Sequence, residues 1–161
     1  MIRRGGSMRL PFQEIRATAQ DAPATNMDRR TRARELTMQA LYQLDVQGPD
    51  VLEYLGSFFQ EADPDDFVRN LASEWTKGTW ENLQQCDELI AGSTIKWQFT
   101  RLSPVDKSIL RLSVYQLKFC TDIPPKVVIN EAIELAKKYS TDKSPAFVNG
   151  VLDAVLRKLQ A

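Results

Sequence analysis

Four arginines, Arg29, Arg30, Arg32 and Arg34, lie close together where the regular pattern of this sequence begins. Neutralising phosphates supplies most of the nonspecific affinity of a protein for nucleic acid, and a guanidinium adds planar contacts to phosphate and stacking on bases. Four cations at the positive end of a helix dipole are otherwise unfavourable, which argues against a merely solvated helix start. The cluster therefore predicts RNA or another polyanion as ligand, and for Arg34 an intramolecular ion pair is the alternative.

The net charge of zero hides a strong segregation along the chain. Residues 1–34 carry eight arginines against three acids, a net charge of +5, whereas residues 35–95 carry twelve acids against two bases, a net charge of −10. Residues 96–161 return to +5. This asymmetry predicts a polyanion at the basic ends and a cationic partner near the acidic middle, although solvated helix faces explain the acidic middle equally well.

The residue types needed for catalysis are missing. The chain has no histidine, so it lacks the commonest general base and metal ligand. It has no GxGxxG or P-loop pattern, and its paired acids, such as Asp65 and Asp66, are adjacent and turn to different sides of a helix. We therefore expect no catalytic residues, no metal site and no cofactor, and a binding protein rather than an enzyme.

The two cysteines and the hydropathy pattern bear on the compartment. Cys86 and Cys120 are far apart and form no CxxC motif, so we expect both thiols to be reduced and to lie in the core. No apolar run approaches the roughly 18 residues of a membrane helix. Residues 1–27 lack the apolar core of a secretory signal and are typical of a flexible tail. These features favour a cytoplasmic protein without a membrane anchor.

The spacing of apolar residues predicts seven α-helices and no convincing strand. The first begins at a capping Asp28 and buries one apolar stripe. The second begins at Asp50, with Leu52 in the core, and the third begins near Asp65. Within the third, Gly78 costs about 1 kcal/mol relative to alanine and so predicts a close helix crossing.

The C-terminal half carries clear helix start signals. Ser103, Pro104 and Asp106 combine a capping serine, proline at the first helical position and an acid in the first turn. The helix that follows is apolar on more than one face, which is typical of a central and most buried helix. The last helix repeats the signal at Ser144 and Pro145.

Three segments identify a family. VVINEAIELAKKYSTDKSPAFVNGVLDAVL in the C-terminal third, RRTRARELTMQALYQLD near the start and VDKSILRLSVYQL between them resemble the NusB family of bacterial transcription antitermination factors. The resemblance covers roughly Asp28 to Leu159, which makes it far more specific than a single short motif. It implies an all-α, NusB-like domain over residues 28–160, with two packed helical subdomains of three and then four helices at about residues 28–82 and 83–160.

The resemblance also implies a function. Family members bind the boxA element of nascent ribosomal or phage RNA as a single strand, together with NusE, a ribosomal small-subunit protein, and help the RNA polymerase elongation complex to pass terminators. Two alternatives remain from the sequence: a helical protein scaffold, for instance a homodimer, and a stand-alone RNA-binding subunit of an rRNA methyltransferase. Steep loss of affinity with rising salt would distinguish an RNA binder from a scaffold.

Particular residues follow from the same resemblance. Matching positions place Tyr139 and Phe147 in the RNA surface, with Lys143 between them where relatives often have an acid, and unstacked bases need such aromatic side chains. A core role is the alternative for both aromatics. The resemblance assigns Tyr42 and Asp106 to NusE, although Asp106 has a competing role as a capping acid. We expect Asn149 and Gly150 of the FVNGVL segment to be buried and structural.

Overall fold

The computed structural model describes residues 26–94 and 99–161, and within them the chain forms seven α-helices and no strand, as the sequence predicts. None of the described helices has the length and apolar character needed to cross a membrane. The predicted tail lies outside the described residues, apart from Asn26 and Met27, which already belong to the first helix. The helices are α1 Asn26–Gln47, α2 Leu55–Ala62, α3 Asp66–Glu81, α4 Leu83–Ala91, α5 Pro104–Phe119, α6 Pro125–Tyr139 and α7 Ser144–Gln160.

Helix α1 differs from the predicted amphipathic helix in two ways. Asp28 lies within its first turn rather than at the cap, where its charge still suits the positive helix end. Residues 33–41 are all buried, so α1 is enclosed on more than one face and not along a single stripe. The buried positions include polar side chains, and we conclude that α1 is a core helix rather than a surface one.

The first of two compact units ends at Glu74, within α3, whereas the sequence pattern places the boundary near residue 82. In this unit α1 ends before Gly48, whose φ of 96° lies in a region that glycine adopts readily and other residues rarely do. A 3-10 helix, Pro49–Tyr54, then leads into α2. Because this segment has three residues per turn, the α-helical spacing assumed from Asp50 does not hold, and Leu52 is exposed rather than buried.

The second unit begins at Trp75 and contains the rest of α3 and helices α4 to α7. Gly78 lies directly against Tyr115 of α5, and a Cβ at position 78 would overlap the tyrosine ring. The predicted close crossing is therefore confirmed. The Ser103 hydroxyl accepts a hydrogen bond from the Asp106 amide at 3.1 Å, as expected of the cap of α5.

Helix α5 carries nine buried residues and one internal ion pair. Arg111 donates two hydrogen bonds to Asp87 of α4, from Nε to Oδ1 at 2.8 Å and from Nη2 to Oδ2 at 2.9 Å.

The two cysteines lie in different environments. Burial raises the pKa of the Cys86 thiol, next to Asp87, to about 12, so no reactive thiolate forms there at neutral pH. Cys120 is only half-buried, which corrects the expectation that both cysteines lie in the core.

Candidate functional site

Arg29 of α1 is held by an acid and by an aromatic ring. Its Nε and Nη2 donate to Asp65 at 2.8 and 3.1 Å, so both carboxylate oxygens face one edge of the guanidinium. The guanidinium carbon lies 4.4 Å from the centre of the Phe67 ring, within the range of a cation–π contact. The Arg29 and Asp65 side chains are 31% and 28% exposed. Arg29 is therefore fixed in direction but reachable from solvent.

Arg32 is more deeply engaged. Its guanidinium donates to Glu35 at 2.8 Å, to Asp63 at 3.3 Å and to the Ala62 carbonyl at 3.3 Å. Only 10% of the side chain is exposed. Arg69 joins the same group by donating to the Asp63 carbonyl at 2.8 Å. Arg32 thus ties α1 to the end of α2 and offers little surface to a ligand.

Arg30 and Arg34 occupy opposite environments. Arg34 is 2% exposed, so in this structure it is not available to RNA, and we remove it from the predicted binding surface. The reason is that α1 is enclosed on more than one face. Arg30 is exposed, and its guanidinium lies 5.4 Å from the Phe67 ring. Of the four arginines, Arg30 is the one most open to a ligand.

The turn between α2 and α3 supplies two of the acids that hold these arginines, Asp63 and Asp65. Asp65 accepts from the Phe67 amide at 2.9 Å, as an N-cap side chain does, while Asp63 accepts from the Asp65 amide at 2.9 Å. Hydrogen bonding from Arg29 lowers the pKa of Asp65 below its usual 3.8. A lowered pKa means that the Arg29–Asp65 pair stabilises the fold above about pH 3.8 and is lost as the pH falls through the folded value.

The predicted aromatic residues border the loop between α6 and α7. Tyr139 is the last residue of α6, and Phe147 lies in the first turn of α7, where its amide donates to the Lys143 carbonyl at 3.3 Å. Both rings are half-buried and Lys143 is exposed. The sequence analysis missed Lys138, an exposed cation 5.4 Å from the Tyr139 ring. We call Lys138, Tyr139, Lys143 and Phe147 the loop surface.

Asp106 anchors this loop to the start of α5. Its two oxygens accept from the hydroxyls of Ser140 at 2.7 Å and of Ser144 at 3.0 Å. Ser144 is buried, and Thr141 lies 3.0 Å from its hydroxyl. The carboxylate therefore positions the loop, in addition to being the acid in the first turn of α5 that the sequence predicts. Ser144 is a donor to Asp106 rather than the cap of α7.

This network predicts a stability effect. We expect Asp106→Ala to lower the free energy of unfolding by about 2 kcal/mol, because the Ser140 and buried Ser144 hydroxyls lose their charged acceptor. Urea unfolding followed by circular dichroism measures the change. Asp153→Ala, which removes an exposed acid from α7, is the control and should stay within about 0.5 kcal/mol of wild type. An equally small change in Asp106→Ala would contradict the network.

Other predicted positions fall outside the loop surface. Tyr42 is half-buried on α1, and Val46, one turn later on the same face, is 53% exposed. Asn149 is exposed, and a Cβ added at Gly150 would meet nothing within 4 Å. The expectation that Asn149 and Gly150 are buried for close packing is therefore wrong. Together with the half-buried Phe147, they place this part of the FVNGVL segment at the protein surface.

Comparison with known proteins decides the family. The sequence profile of the NusB family matches residues 31–157, which is most of the chain. The chain belongs to the NusB family. It is 41% identical over 133 residues to the transcription antitermination protein NusB of Syntrophus aciditrophicus, and the match covers 83% of each chain.

Solved structures of NusB proteins agree with the fold. T. maritima NusB is 39% identical, with a TM-score of 0.71 over 80% of this chain and 91% of that one. A second structure contains the antitermination factors NusB and NusE in complex with dsRNA. Its matched chain is 27% identical, with a TM-score of 0.74 over 82% of this chain and 98% of that one. The seven-helix NusB fold expected from the resemblance is thereby confirmed.

Proposed function

We propose that this chain is a transcription antitermination factor that binds RNA together with NusE. The observation that carries the proposal is the match over four-fifths of the chain to a NusB whose solved complex contains NusE and dsRNA. Curated relatives at about 41% identity are named transcription antitermination proteins. We propose the boxA element of nascent ribosomal RNA, bound as a single strand, as the target of this chain.

The loop surface is the proposed site of base recognition. Tyr139 and Phe147 offer ring surface on either side of a short loop, and unstacked bases bind single-strand readers by stacking on such rings. Lys138 and Lys143 add exposed positive charge beside them. Because Lys143 is an exposed cation in this loop, we propose that it contacts phosphate.

The arginine cluster has a smaller proposed role than its sequence suggested. Arg30 is exposed and is the proposed phosphate contact of α1. Arg32 and Arg34 are enclosed and are proposed to be structural. The proposed RNA contacts therefore include Arg30 of the first unit and, separately, the loop surface of the second unit.

The proposal extends to the protein partners. Tyr42 and the exposed Val46 form one face of α1, and we propose that NusE contacts this face. Asp106 remains a proposed NusE contact, although both of its oxygens already serve the α6–α7 loop. We further propose that the chain acts on the RNA polymerase elongation complex in the cytoplasm, as an adaptor and not as an enzyme.

The test is titration of a short boxA RNA, alone and with NusE, against a scrambled RNA of the same length. We expect Arg30→Ala to weaken boxA binding several-fold, because one phosphate contact is lost. The slope of log K against log salt should become less steep by about 0.7, the value for one phosphate contact on a single strand. Arg157→Ala is the matched control, since Arg157 is also exposed but lies in the last turn of α7.

Two outcomes would overturn parts of the proposal. Equal binding of boxA and scrambled RNA by the wild type, with and without NusE, would exclude boxA recognition. Equal losses in Arg30→Ala and Arg157→Ala would show that general charge, and not a contact at Arg30, controls affinity. A flat salt dependence would instead favour the protein scaffold.

A further inference from the structure

The start of α1 is not a basic patch once its neighbours are counted. Arg29 faces Asp65, Arg32 faces Glu35 and Asp63, and Arg69 faces Asp66. Each of these guanidiniums therefore has at least one carboxylate of the same unit against it. The acids come mainly from the Asp63–Asp66 turn, which belongs to the acidic middle of the sequence. Positive charge read from residues 29–34 alone overstates the attraction of this surface for phosphate.

The Arg29–Asp65 pair is the exchangeable one. About a third of each side chain is exposed, and ion pairs at such positions contribute little to stability, so another anion can displace the carboxylate. The Arg32 pairs are much more enclosed and lack this access. A phosphate would bind Arg29 best through the Nε and Nη2 edge, which is the edge that Asp65 occupies.

We propose that Asp65 competes with RNA phosphate for Arg29 and thereby limits nonspecific RNA binding, so that selection of the RNA falls to the loop surface. This inference rests on the proposed function. Phe67 supports this exchange, because its ring contacts the Arg29 guanidinium and holds it in position when phosphate displaces the carboxylate.

The deciding variant is Asp65→Asn in the full chain. Asparagine caps a helix about as well as aspartate, so the start of α3 is retained while the charge is removed. We expect affinity for a scrambled single-stranded RNA to rise several-fold and the slope of log K against log salt to steepen by about 0.7, one phosphate contact. BoxA affinity should rise by a smaller factor, so the ratio of boxA to scrambled affinity falls.

Asp66→Asn is the matched control. It removes the same charge one residue away, but Asp66 contacts Arg69 instead of Arg29 and is largely exposed. We expect it to leave the salt slope unchanged. Asp65→Ser, which also keeps a capping side chain, should reproduce Asp65→Asn and guards against an effect peculiar to asparagine.

A double-mutant cycle assigns the gain to Arg29. Arg29→Ala should lower affinity for scrambled RNA more in the Asp65→Asn background than in the wild type, because only there is the guanidinium released. Additive effects would overturn the proposal. An Asp65→Asn protein that melts like the wild type but binds scrambled RNA no more tightly would also overturn it. Weaker binding would mean that Asp65 orients Arg29 for RNA, and equal binding would mean that Asp65 has no effect on RNA binding. Failure of the proposed function is distinguishable, because the wild type would then not prefer boxA.

Discussion

The Asp87→Ala variant is expected to lose about 3 kcal/mol of its free energy of unfolding. Asp87 is the bidentate partner of Arg111, whose side chain is only 8% exposed on the central helix α5. Removing the carboxylate leaves a buried guanidinium charge without that partner, and breaking a buried pair from one side costs about 3–5 kcal/mol. The lower end applies because Asp87 itself is a quarter exposed. Urea unfolding measures the difference directly.

Glu88→Ala is the control for this prediction. Glu88 is the next residue of α4 and is exposed, so its removal changes the same net charge without touching Arg111. We expect a change within about 0.5 kcal/mol. If both variants unfolded at the same urea concentration, the Arg111–Asp87 pair would not stabilise the second unit, and the burial of Arg111 would need another explanation.

The helices were predictable because their signals are local. Ser103 and Pro104 start α5 through contacts within one turn, and apolar spacing locates its buried faces. Gly78 was informative for the same reason, since a glycine inside a strong helix pattern indicates a close neighbour. The 3-10 helix was missed because an apolar pattern of six residues does not distinguish three residues per turn from 3.6.

The electrostatic partners were not predictable from the sequence. Arg29 and Asp65 are 36 residues apart, and Arg32 and Asp63 are 31 apart, so their pairing depends on how α1 packs within its unit. Segment charges correctly separate basic and acidic regions but cannot show that the two neutralise each other locally. The same limit applies to Asp106, which meets Ser140 and Ser144 across 34 and 38 residues.

The site residues divide along the same line. Tyr139, Lys143 and Phe147 were predicted from a contiguous segment, and the structure places them around one loop, where their accessibility supports a binding role. The four arginines were also predicted from a contiguous segment, but a helix turns successive side chains to different sides. Exposure consequently separates Arg30 from Arg34.

Phe147→Ala is expected to reduce boxA affinity by about 5–150-fold, because stacking of one base on an aromatic ring contributes about 1–3 kcal/mol. Phe147 is half-buried in the first turn of α7, four residues after the exposed Lys143, and is therefore partly accessible to a base. The loss should persist at high salt, since stacking does not release counterions. Titration at two salt concentrations, with and without NusE, measures it.

A loss of boxA affinity that does not depend on salt indicates that Phe147 stacks on a base and does not contact phosphate. A second phenylalanine variant tests whether such a loss comes from damage to the fold. Phe119→Ala removes an exposed phenylalanine from the last turn of α5, whereas Asp106, which holds the α6–α7 loop, lies at the start of that helix. The Phe119 ring stacks on Tyr115, with 5.6 Å between the ring centres. We expect this variant to leave RNA affinity unchanged. If Phe147→Ala bound boxA as the wild type does, the base-reading role of the loop surface would be wrong. If it lost affinity only in proportion to lost thermal stability, Phe147 would be a packing residue. If Phe147→Ala changed only the salt dependence of boxA binding and not the affinity at high salt, the effect would be assigned to the charge of Lys143.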